Sequence, residues 1–183
     1  MSDLTEKVPC IECGKPVSVK LGRGGRCLRC DLQRNPFFVL YDTLIKRVHV
    51  PGGGFDFLSE SEKLYYTLTL FQNEVNNGGF HQFFFNNSGS YYDLVESGLE
   101  KMDEQASLQL LREAKSIVFP AASVPRDTEA RRDLMPIEDP EDAPPMWVQK
   151  LNELDHRFYA NLDTLTPKLE AFARQRGLVH DTK

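Results

Sequence analysis

The chain has 183 residues, 40% of them hydrophobic and 27% charged, enough for one medium domain with a small appendage. No apolar run approaches the roughly 18–20 residues that span a bilayer. The N-terminus also lacks the apolar core of a secretory signal, so the expected location is cytoplasmic. The net charge of −5 divides unevenly. Residues 1–50 hold nine basic and five acidic side chains and carry +4, while the remainder, with 13 against 22, carries −9. A basic head on an acidic body bears on the choice of partner rather than on fold.

All four cysteines fall within 21 residues, as Cys10-Ile-Glu-Cys13 and Cys27-Leu-Arg-Cys30. Two C-x-x-C pairs at this spacing match a tetrahedral four-cysteine zinc ribbon. Each pair wraps one turn around the ion, and Gly14 permits the tight bend. Between the pairs, Val17-Ser18-Val19 before Gly22 reads as a short hairpin joining the two knuckles. Four thiolates fill the coordination sphere, so the expected zinc is structural, with Cys10, Cys13, Cys27 and Cys30 as ligands; iron in a rubredoxin-like site is the main rival. Lys15, Lys20, Arg23, Arg26, Arg29 and Arg34 would surround it. These cations could track nucleic-acid phosphates or dock onto the chain's own acidic body. The span Cys10–Cys30 contains no aromatic residue on which bases could stack.

Asn35-Pro36 marks the exit from this module, giving expected units of 1–36 and 37–183. Helical spacing runs from Phe37 to Val48, and Pro51-Gly52-Gly53-Gly54 ends it as a connector. Ser59 and Glu62 form a capping box opening a helix to about Asn77. Gly78-Gly79 then breaks the backbone, and Phe80, Phe83 and Phe84 share one face of the next helix. Asn76, Asn77, Gln82 and Asn86 are expected to bond to nearby backbone. With Glu74 and His81, which could face each other across the break, they form the candidate polar ligand or partner site. Further helices are predicted over 91–101, over 104–119 capped by Asp103 with Ala106, Leu110, Leu111, Ala114 and Val118 inward, and over 146–162. A last one is read from Thr166 as N-cap, with Pro167 at N1 and Glu170 at N3, ending at Gly177. Residues 120–145 read as a charged loop with a short helix over 129–135. The expected fold class is mainly α: a multi-helix bundle preceded by a small four-cysteine zinc-ribbon module with a short β-hairpin.

The run Glu74-Val75-Asn76-Asn77-Gly78-Gly79-Phe80-His81-Gln82-Phe83-Phe84-Phe85-Asn86-Asn87-Ser88-Gly89 resembles the signature of the DNA-mimic-protein C-terminal domain family, a domain of unknown function. Leu151-Asn152-Glu153-Leu154-Asp155-His156-Arg157-Phe158-Tyr159 is similar to that family's second recurring element. The resemblance covers about residues 38–175 and implies a mostly helical domain. The family's best-described member is an acidic protein that imitates DNA and occupies a transcription factor, the role the resemblance implies, while most members have no assigned activity.

No G-x-S-x-G, H-E-x-x-H or P-loop is present, and the cysteines are committed to the ribbon. The expected function is therefore a non-catalytic interaction protein whose acidic helical domain binds a basic protein partner. Asp93, Glu96, Glu100, Asp103 and Glu104 would form one rank of carboxylates, and Glu138, Asp139, Glu141 and Asp142 another. The alternative is a nucleic-acid-binding zinc-ribbon protein with a helical regulatory body. No membrane partner is expected, and a homodimer is one state the sequence leaves open.

Overall fold

The computed structural model describes residues 7–18, 24–135, 145–160 and 162–179. Strand β1 (Lys7–Pro9) pairs antiparallel with β2 (Pro16–Ser18), with Val8 opposite Val17. The hairpin thus encloses the first C-x-x-C instead of joining the two pairs. Its turn is closed by Cys10 N donating to Lys15 O at 2.8 Å and Gly14 N to Cys10 O at 2.9 Å, with Gly14 at φ +72°. That left-handed bend costs glycine nothing. The second pair opens the short helix α1 (Leu28–Leu32), so Cys27 and Cys30 lie one turn apart on one face.

Helix α2 (Pro36–His49) starts at what reads in the sequence as mere punctuation. The Asn35 side chain accepts from the amides of Phe37 and Phe38, and Pro36 occupies N1. A 3-10 turn at Phe55–Phe57 leads into α3 (Glu60–Phe85), whose Ser59/Glu62 capping box is formed as expected. After a 3-10 segment at Asn87–Tyr91 come α4 (Tyr92–Lys101), α5 (Gln105–Val118), α6 (Thr128–Leu134), α7 (Met146–Ala160) and α8 (Leu162–Gln175). The chain is a mainly α bundle with a small N-terminal hairpin, as the sequence predicts. No helix among the described residues is long and apolar enough to cross a membrane.

Helix α3 is the hub, packing against α2, α4, α6, α7 and α8. Phe71, Phe80, Phe83 and Phe84 are wholly buried, and Phe158 nearly so. Phe71 meets Phe83 edge-on at 5.1 Å and Phe158 at 5.5 Å; Phe84 meets Phe119 at 5.4 Å. Each such pair adds about 0.5–1.5 kcal/mol beyond area burial, itself worth about 1.5–3 kcal/mol per ring. None of the described residues 7–32 belongs to this apolar core.

Several boundaries differ from the sequence reading. Asp103 does not cap α5: it takes φ +52°, and Glu104 is the cap residue. Glu104 is buried, accepting from Thr164 Oγ1 at 2.8 Å and pairing with Lys168 Nζ at 2.9 Å, so burial and α8 decide the boundary. Ala106 is exposed, and Ser107 and Leu108 point inward instead. Helix α6 starts at Thr128, capped by Asp127 through the Ala130 amide at 2.8 Å. Helix α7 ends two residues before the expected Leu162.

The Thr166-Pro167-Lys168-Leu169-Glu170 start signal lies inside α8. Thr166 Oγ1 is used in tertiary packing, accepting from Gln72 Nε2 at 2.8 Å. Pro167 removes one intrahelical bond without ending the helix. Gly177 ends it as predicted, at φ +66°, with Leu178 N donating to Ala173 O. Val19, Lys20, Gly22 and Arg23, and the carboxylates Glu138, Asp139, Glu141 and Asp142, lie outside the described residues.

Candidate functional site

The hairpin turn and the start of α1 bring the four cysteines together: their Sγ atoms all lie within 4.8 Å of one another, and Cys13 and Cys27 approach to 3.6 Å. Tetrahedral zinc at about 2.3 Å from each sulfur needs S···S separations of about 3.8 Å, so the donor set fits that ion. Backbone amides favour the thiolate form the metal requires. The Cys27 amide, 3.2 Å from Cys10 Sγ, leads the donors that lower the Cys10 thiol to about 6. The Cys30 amide likewise lowers Cys27, whereas Cys30 itself is raised through its bond with Cys27. Of the surrounding cations, Arg26 and Arg34 pair with Glu12, at 2.6 and 3.3 Å, and Arg26 lowers its carboxyl.

The polar residues around the kink of α3 do not form one site. Glu74 Oε2 accepts from Gln82 Nε2 at 2.7 Å and Asn86 Nδ2 at 2.9 Å, and Asn77 Nδ2 donates to Gln82 Oε1 at 3.2 Å. Two amides thus meet the Glu74 carboxylate and the third meets Gln82, rather than backbone. This network borders a cavity shared with His49, Tyr91 and Arg132. His81 faces another, stacking between Trp147 and Phe85 at 5.9 and 5.8 Å, in a small cavity of about 190 Å³ with Asn152 and Asp155. Glu74 and His81 therefore do not face each other. Asn76 lines a third cleft, between α2, α3 and α8.

The kink itself is where the chain's two motifs meet. Gly78 (φ −156°) and Gly79 (φ +74°, ψ −176°) leave the helix, which resumes at Phe80 with a glycine, not Ser, Thr, Asp or Asn, at the cap position immediately before it. The missing cap comes from α7: Phe80 N donates to Asp155 Oδ1 at 2.8 Å. Phe158 packs edge-on against Phe80, and Tyr159 donates to Val75 O at 3.0 Å.

Burial raises the Asp155 carboxyl above its ordinary value. A carboxyl raised on folding contributes stability that is fully present below its unfolded pKa and is lost as the pH rises through the folded one. Asp155→Asn keeps an acceptor for Phe80 and removes the desolvated charge. Its urea midpoint should match or exceed the wild type's at pH 7, the difference shrinking toward pH 4. Asp155→Ala should lose about 1–2 kcal/mol through the uncapped amide.

Sequence reasoning missed Arg131, which is completely buried in α6. Its guanidinium gathers carbonyls at the end of α3: Nε donates to Phe84 O and Nη2 to Asn86 O, both at 2.6 Å, and Nη1 reaches Pro125 O at 2.9 Å. Arg132 Nε takes Phe85 O at 3.0 Å. A cation among the last carbonyls of a helix satisfies orphan acceptors and opposes the negative dipole end. The one advance signal is that no glycine cap follows Phe85.

The carboxylates read as a rank are largely neutralised. Glu96 and Glu100 both bind Arg112, the first at 2.6 Å; Asp93 pairs with Arg126 at 3.3 Å, and Glu104 is buried against Lys168. Arginines from elsewhere in the chain meet this acidic face, so it is not a bare row of phosphate-like charges.

No curated protein and no solved structure matches the chain. A family model described as DMP19-like protein matches residues 56–176, from the 3-10 turn before α3 to the end of α8, leaving the cysteine module and α2 outside. Both meeting motifs lie within that span, and the chain belongs to the DMP19-like family.

Proposed function

We propose that this is a non-catalytic interaction protein of two units: residues 1–36, a zinc-ribbon module, and 37–183, a helical body that engages a basic protein partner. The observation that carries the reading is the net charge of −8 on residues 37–183, in a chain whose family is one of DNA mimics. Asp155 is spent on the Phe80 amide, and Glu74 on Gln82 and Asn86, which leaves recognition to the other polar and charged groups. Because Glu96 and Glu100 are paired with Arg112, attraction rests on the body's overall field rather than on an unpaired rank along α4.

The full-length protein, immobilised, should capture a basic protein at 0.1 M salt and release it at about 1 M, where screening falls to about 3 Å. The captured protein, purified, should rebind with the same salt dependence. A partner retained unchanged at high salt, or nucleic acid bound in its place, would overturn the proposal.

Cys10, Cys13, Cys27 and Cys30 hold the zinc in this reading, and the ion staples a module too small to fold on apolar burial alone. Structural zinc supplies about 10–16 kcal/mol of binding energy that becomes folding energy. Elemental analysis should find one zinc per chain. Cys13→Ser should lower zinc retention under chelator and unfold the hairpin, with the helical far-UV signal intact, since the apolar core starts at Phe37. Loss of the helical signal together with the metal would contradict the two-unit division.

A further inference from the structure

We propose that the cleft between α2, α3 and α8 seats a cationic side chain, best an arginine, of the basic partner. This rests on the reading above and names its point of contact. The cleft encloses about 310 Å³, within the size range of ligand sites, and reaches the cysteine module at Leu32 and Asn35. Phe38 and Tyr41 of α2 and Tyr65 of α3 supply rings; Asn73 and Asn76 supply amides; Glu170 of α8 supplies the one formal charge among the lining residues. That combination recognises a planar cation: rings offer their negative faces, a carboxylate offers a charge, and amide oxygens accept the remaining N–H groups.

The charge is available. Glu170 makes no ion pair among the described residues and is only half-buried, so a ligand can reach it. On the same helix Lys168 pairs with Glu104, and Arg174 stacks over Phe37, a ring at the cleft's edge, with its guanidinium carbon 4.6 Å from the ring centre; neither cation lines the cleft. Burial raises both phenols, Tyr65 to about 12, so at neutral pH they act as uncharged rings and hydrogen-bonding groups.

The walls are held in place. Gln72 Nε2 binds Thr166 Oγ1 at 2.8 Å, fixing α8 against α3 one turn before Glu170, and Tyr65 donates to Phe37 O at 3.3 Å, fixing α2. Guanidinium fits better than ammonium because its plane can lie against a ring while its edge meets Glu170 and the asparagines.

The test uses the zinc-loaded full chain and two small probes, N-acetyl-arginine amide and its neutral isostere N-acetyl-citrulline amide, followed by NMR titration. The arginine probe should shift the side-chain amides of Asn73 and Asn76 saturably, at millimolar concentration, and the citrulline probe should not. Glu170→Gln, a conservative change on a half-exposed helix face, should weaken the arginine probe at least tenfold while leaving the free spectrum folded. Equal shifts from both probes, no shift from either, or unchanged binding in Glu170→Gln would overturn the proposal. Partner capture is read separately. If Glu170→Gln abolishes probe binding but leaves salt-sensitive capture intact, this cleft is not the partner's seat, although the broader reading stands. If the arginine probe binds but the protein captures no basic partner, the cleft's role in partner binding is overturned.

Discussion

Gly79→Ala will be among the most damaging single substitutions in the molecule, lowering stability by about 3–5 kcal/mol. Two costs add. At φ +74° and ψ −176° the backbone lies in a region essentially reserved for glycine, where any other residue costs about 1–3 kcal/mol. The new methyl would also overlap the Asp155 carboxylate, with Cγ only 2.6 Å away, and drive it off the Phe80 amide. Loss of that cap costs a further amount of about 1–2 kcal/mol, as in Asp155→Ala. Gly177→Ala is the control: its φ is +66° but nothing lies within 4 Å, so it should lose only about 1–2 kcal/mol. Urea unfolding read by far-UV circular dichroism separates them. Equal midpoints for the two variants would show that Asp155 does not sit against Gly79.

Arg131→Ala should cost about as much, 3–5 kcal/mol on the scale set by broken buried polar networks, lowering Tm by about 10 °C in a chain of this size. The substitution leaves the carbonyls of Phe84 and Asn86 without their buried donor and opens a cavity beside Gly89, whose bare Cα lets the guanidinium pass. Burial lowers Arg131, so the site bears a desolvation cost that its carbonyl partners offset. Arg131→Lys should recover little, because a single ammonium cannot span acceptors on both α3 and the 125–127 loop. Recovery of wild-type stability by lysine would show that charge alone, not the forked geometry, holds the end of α3.

The features legible beforehand are those whose physical cause is local. The Ser59/Glu62 box, the Phe80-Phe83-Phe84 face, the glycine break and Gly177 each depend on neighbours within four residues. The cysteine cluster was legible because two C-x-x-C pairs at this separation match the spacing of a four-thiolate site. Asp155 and Arg131 were not, since each serves a helix end 75 or 47 residues away and carries no marker of that duty. Both gaps nevertheless left a trace: Phe80 restarts a helix without a cap residue, and Phe85 ends one without a glycine. Glu74 and His81 were mispaired because the kink turns the helix face, so sequence spacing across Gly78-Gly79 no longer measures direction. Thr166-Pro167 signalled a start that tertiary packing overrode when Gln72 claimed the threonine hydroxyl.

The second half of α3 is closed at one end by α7 and at the other by α6, both made later. At 5–20 residues per second, Phe80 is synthesised roughly 4–15 s before Asp155. During that interval Phe80, Phe83 and Phe84, all wholly buried in the finished fold, lack the cover that α7 supplies. A chain cut anywhere before Asp155 never gains that closure, so its second α3 segment keeps an unsatisfied Phe80 amide.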